Sequence, residues 1–120
     1  MKAKIIDYHS PDIDLTTYKP SIENEFCFAL QVFVGEQGSD TGFESFCMTV
    51  CTPRWLEKTQ NTGDIIFGEH YLIVFEYNLD KIINTITEYI DSIEEDSWDE
   101  IGKKIDRIGL WEFRDYVEHK

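Results

Sequence analysis

Residues 25–35, EFCFALQVFVG, set Phe26, Phe28, Leu30, Val32 and Val34 on one parity and Cys27, Ala29, Gln31 and Phe33 on the other. Successive side chains of a strand point to opposite faces, so this is a strand with one bulky face and one small or polar face. After the turn-forming run GEQGSDTG, the segment FESFCMTVC repeats the pattern, with Phe46, Met48 and Val50 against Ser45, Cys47, Thr49 and Cys51. The two segments are expected to pair as an antiparallel hairpin whose bulky faces coincide. The rest of the chain must supply what pairs with this hairpin and what covers it.

KAKIIDY, residues 2–8, alternates weakly and suits an edge-like first strand, and SPDIDLTTYKP carries two prolines and reads as a loop. In TPRWLEK, Thr52 is an N-cap and Pro53 the first helical residue of a short helix bearing Trp55 and Leu56, closed by Thr62-Gly63. HYLIVFEY, residues 70–77, is a nearly continuous apolar run of strand length, expected in the middle of the sheet. Asn78 caps LDKIINTITEYIDSIEE, residues 79–95, where Ile82, Ile83, Ile86, Tyr89, Ile90 and Ile93 recur at helical spacing. SWDE is a capping box, with Ser97 as N-cap and Glu100 at the third position of a helix containing Ile101, Ile105 and Ile108. The tail, GLWEFRDYVEHK, places Leu110, Trp111, Phe113, Tyr116 and Val117 in a short strand or an irregular packing segment. The expected architecture is a single α+β domain over residues 1–120, an antiparallel sheet with helices packed mainly from the C-terminal half.

With 42% hydrophobic and 14% aromatic residues in 120, one core is affordable; 24 acidic against 11 basic residues leave a net charge of −13. Nucleic acid and anionic lipid would both repel such a surface within roughly 8 Å at physiological salt, and a basic protein is the natural counterpart. No run of about 18 apolar residues and no signal peptide are present, so a soluble, cytoplasmic chain is expected. Cys27, Cys47 and Cys51 are odd in number, which suits reduced thiols, and no cysteine pair has the spacing of a zinc site. GEQGSDTG lacks the Lys-Ser/Thr ending of a phosphate loop, so no cofactor is expected.

Cys51 stands at a strand-to-helix junction, where a helix N-terminus stabilises a thiolate, and His70 is the matching candidate for a general base. Packing is the more ordinary meaning of both, and no catalytic residue is assigned. Asp12 and Asp14 form a D-x-D pair able to hold Mg²⁺, though after Pro11 they read more simply as turn formers. The stronger signal is EYIDSIEEDSWDE, residues 88–100, with seven carboxylates in thirteen residues and no base. Asp99 and Glu100 gain from the dipole of the last helix, whereas Glu94, Glu95 and Asp96 sit at the C-terminal end of the preceding one, where the same dipole disfavours them. Local stability therefore does not account for them, and a cationic partner does. The candidate partner-binding residues are Asp91, Glu94, Glu95, Asp96, Trp98, Asp99 and Glu100, Trp98 being either the aromatic anchor of the contact or a core residue locking two helices.

HSPDI at 9–13, VCTPRWLEK at 50–58, GEHYLIVFEYN at 68–78 and IGLWEFRDY at 108–116 follow one another in an order that resembles the immunity protein 8 family of bacterial polymorphic toxin systems. The resemblance spans nearly the whole chain, with CTP-x-WL and WEF its most distinctive pieces. It implies an α+β protein that accompanies a toxin gene and protects the producing cell by binding the toxin, without catalysis. Pro53, Trp55, Leu56, Gly68, His70, Tyr71 and Trp111 fall in the matching segments and read as turn, packing and capping positions, so partner contacts are expected elsewhere. On that reading the chain is a stoichiometric inhibitor whose acidic surface docks on a basic toxin. A nuclease is the obvious kind, since its substrate groove must attract phosphate. The alternatives are an acidic structural or regulatory subunit of an intracellular assembly and, less favoured, a small enzyme dependent on Cys51 or His70.

Overall fold

The computed structural model describes residues 1–40 and 42–112. Strands β2 (Cys27–Glu36) and β3 (Glu44–Cys51) pair antiparallel, with Phe28 opposite Val50, Leu30 opposite Met48 and Val32 opposite Phe46. All six side chains are buried, so the bulky face is the core face. Strand β1 (Ala3–His9) joins the other side of β2, antiparallel, with a bulge between Ile5 and Asp7.

Helix α1 (Pro53–Thr59) begins as expected, the Thr52 hydroxyl accepting from Trp55 N at 3.3 Å. The same buried hydroxyl accepts from Phe26 N at 3.2 Å, which ties the start of the helix to the start of β2. The helix closes at Gln60, before the Thr62-Gly63 pair. Helix α2 (Leu79–Asp91) is capped by Asn78, whose side chain accepts from Lys81 N at 3.1 Å, and helix α3 (Trp98–Ile105) by Ser97, which accepts from Glu100 N at 3.2 Å. Ile82, Ile86 and Ile90 of α2 and Ile101 and Ile105 of α3 join the bulky face of the sheet in one buried cluster. At roughly 1.5–3 kcal/mol for each fully buried large apolar side chain, this contact is the main stabilising term. The fold is α+β, as expected.

Three expectations change. The apolar run at 70–77 yields only a three-residue strand, β4 (Tyr71–Ile73), and it lies at the sheet edge rather than in the middle. It runs parallel to β3, so the sheet is mixed rather than wholly antiparallel. The outer side of β3 is shared end to end: β4 takes Thr49–Cys51, and β5 (Leu110–Trp111) takes Phe46 and Cys47 antiparallel. An apolar run reads the same whether it is buried between strands or borders an apolar surface. Third, α2 stops at Asp91, four residues before the expected end, because the next segment pairs with the N-terminal residues. Ile108 falls in the turn after α3, while Phe113, Tyr116 and Val117 lie outside the described residues.

Candidate partner-binding surface

The acidic stretch forms the corner between α2 and α3. Ser92 N donates to Glu88 O at 3.2 Å to end α2, and the buried Ile93 pins the turn to the core. The chain then extends: Glu94 forms an antiparallel bridge with Lys2, and Glu95 N donates to Met1 O at 3.1 Å. Glu94, Glu95 and Asp96 therefore lie beyond the helix, and the dipole penalty expected of them does not arise.

The seven candidate residues divide. Asp91, Glu94, Asp96, Asp99 and Glu100 are exposed, and Glu95 is half-buried in an ion pair with Lys104. Lys103 Nζ lies 3.0 Å from Asp99 and 3.6 Å from Glu100, and the Asp99 hydrogen bond, followed by the two negative charges, raises the Lys103 pKa above the ordinary lysine value. Such exposed helix pairs are screened by solvent and leave the side chains free to exchange partners. Asp91, Glu94 and Asp96 have no ion pair among the described residues. Trp98 is neither fully buried nor fully exposed. It is half-buried against the core cluster, and it lines a hollow of about 290 Å³ with Glu36, Glu44 and Phe43, the last 60% exposed.

The other candidates are held in structural roles. Cys51 is fully buried, and burial, followed by the negative influence of Cys27 opposite, pushes its thiol up to about 11. Full burial and a raised pKa both run against an activated nucleophile. His70 has a left-handed φ of 63°, and its Nε2 meets Asp106 O at 2.7 Å, latching the entry to β4 onto the end of α3. Asp12 accepts from Ala29 N at 2.7 Å, whereas Asp14 accepts from Thr16 N at 2.9 Å and Thr16 Oγ1 at 2.6 Å, bonds that lower its pKa. The D-x-D pair is thus divided between two backbone tasks. On the small face of the hairpin, Gln31 Nε2 donates to Ser45 Oγ at 2.7 Å and to Glu112 Oε1 at 2.8 Å, and Gln31 Oε1 faces His9 Nε2.

The structure also exposes apolar side chains that periodicity does not find. Ile65 and Phe67 are each 94% exposed and Phe75 76%, on either side of β4. In sequence, Ile65 and Phe67 are signalled only by the apolar triplet Ile65-Ile66-Phe67 set among turn residues, and Phe75 lies in the apolar run 70–77, which gives no sign that it stays exposed. No helix of the described residues is long and apolar enough to cross a membrane. The chain matches the protein family described as immunity protein 8 over residues 3–116. No curated protein and no solved structure matches it.

Proposed function

The chain belongs to the immunity protein 8 family, hence is an immunity protein for a bacterial toxin, and from that premise we propose that it neutralises its cognate toxin by stoichiometric, non-catalytic binding in the cytoplasm. The α2–α3 corner docks on a basic surface of the toxin. One observation carries this reading: Asp91, Glu94 and Asp96 stand exposed without an ion pair among the described residues, in a chain of net charge −13. An electrostatic surface of this kind accelerates encounter with a basic protein by about ten- to a thousandfold and supplies acceptors for its Arg and Lys side chains. A nuclease fits this description, because carboxylates can take the place of substrate phosphates in its groove.

The test is co-expression of the toxin domain encoded beside this gene in a sensitive cell, with the native chain or with Asp91, Glu94, Asp96 and Asp99 changed to Lys. Glu95 is spared because it is already engaged by Lys104. Growth with the native chain and death with the folded variant is the expected result. Equal protection by both removes the corner from the interface, and protection by neither refutes toxin neutralisation.

A further inference from the structure

The two edges of the sheet are treated differently. β1 is guarded: it carries a bulge between Ile5 and Asp7, charges at Lys4 and Asp7, and the Lys2–Glu94 bridge across its beginning. These are the devices by which natural sheets block pairing with another chain. β4, Tyr71-Leu72-Ile73, is guarded only by its shortness, three residues, and has no charge, proline or bulge. Thr49 N donates to His70 O at 2.8 Å and Val74 N to Cys51 O at 3.0 Å, so in the alternating pattern of the pair Tyr71 and Ile73 turn their backbone groups outward. Tyr71 N turns back to Gly68 O at 3.4 Å, which leaves the Tyr71 carbonyl and both groups of Ile73 without a backbone partner among the described residues.

Beside this edge, between β4 and α2, two hollows follow each other along the strand. One, of about 360 Å³, is lined by Leu72, Val74, Phe75 and Ile82; the next, of about 240 Å³, by Leu72, Ile86, Tyr89 and Ile108. Thr85 borders both. Glu76 and Lys81 stand at the first, Glu69 and Arg107 at the second, so the charges at the groove nearly balance and its walls are apolar. Successive hollows beside an open edge suit a strand whose alternate side chains point inward.

We propose that an extended segment of the toxin adds to β4 as a further strand, with apolar side chains at alternate positions filling the two hollows, so that the 68–78 segment, expected from sequence only to maintain the fold, also contacts the partner. This rests on the toxin-binding reading above. A second copy of this chain fits less well, because two molecules of net charge −13 repel each other as wholes even where the groove's own charges balance, whereas a basic partner is drawn to the molecule. The acidic corner then governs encounter, and the β4 edge governs residence.

Two variants test this. Thr85→Trp fills the mouth of both hollows from the exposed side of α2, and Ile73→Pro removes the outward amide while leaving the bonds to β3 in place. Titration calorimetry against the toxin domain encoded beside the gene should show at least tenfold weaker binding for each, with thermal melts of the free proteins unchanged. In the native complex, hydrogen exchange should slow at the Ile73 amide. Native affinity in Thr85→Trp together with unchanged exchange at Ile73 overturns the proposal while toxin binding itself stands. Failure of the native chain to bind the toxin refutes the toxin-binding reading and this inference with it. A free protein that sediments as a dimer and is dissociated by Thr85→Trp assigns the groove to a second copy, and also overturns it.

Discussion

Gly102 lies within α3, where alanine would ordinarily be favoured by about 1 kcal/mol. Here a methyl group would sit 2.3 Å from the Trp111 ring, which is itself 8% exposed, stacked on Phe46, and hydrogen-bonded through Nε1 to Glu44. The ring has nowhere to retreat. Gly102→Ala should therefore destabilise the protein by about 1–3 kcal/mol in urea unfolding, the cost of overpacking. A gain in stability would mean that α3 and Trp111 are not packed in this way. The same contact explains why two positions of no evident chemistry matter: the helix approaches β5 closely only because residue 102 has no side chain. That requirement is invisible in sequence, where Gly102 looks like a defect in a helix.

At the scale of elements, the capping residues set the starts of the helices, and Thr52 does more than cap. Its hydroxyl accepts from Trp55 N within α1 and from Phe26 N at the entry to β2. Thr52→Ala should cost about 2 kcal/mol or more, above the roughly 1 kcal/mol typical of a cap, because it also strands a buried amide. Thr52→Ser should recover most of that loss in the same thermal melts, and an alanine variant as stable as the parent would deny the double role. The starts of α1, α2 and α3 were legible because a capping side chain and the backbone N–H that donates to it lie within three residues of each other. The end of α2 was not, since it depends on residues 1 and 2 pairing with 94 and 95 from the opposite end of the chain.

For the whole molecule, the net charge of −13 acts on stability and binding with opposite signs. Salt screens the repulsion among exposed carboxylates and screens attraction to a basic partner by the same mechanism. Raising the salt from about 10 mM to about 500 mM should thus raise the melting temperature while weakening toxin binding, mainly through a slower association rate. A melting temperature that falls with salt would show that the ion pairs at Lys103 and Lys104 outweigh the general repulsion. Of the candidate surface, its charge and position in the chain were legible. Its division was not: Glu95 is held by Lys104, and Trp98 is both packed and accessible.

The amino-acid sequence by itself determined the β2–β3 hairpin and its buried parity, the starts of the three helices, the isoleucine stripes and the acidity of the chain. Each of these is a property of neighbouring residues or of the total composition. Only the tertiary structure decided that β4 and β5 divide the outer side of β3, that β4 is left as an open apolar edge, and that Glu94 and Glu95 leave the helix to meet the N-terminal residues. These outcomes are settled by competition among distant segments for the same backbone partners. An apolar run such as HYLIVFEY carries no sign of which segment will lie beside it, or of whether any will.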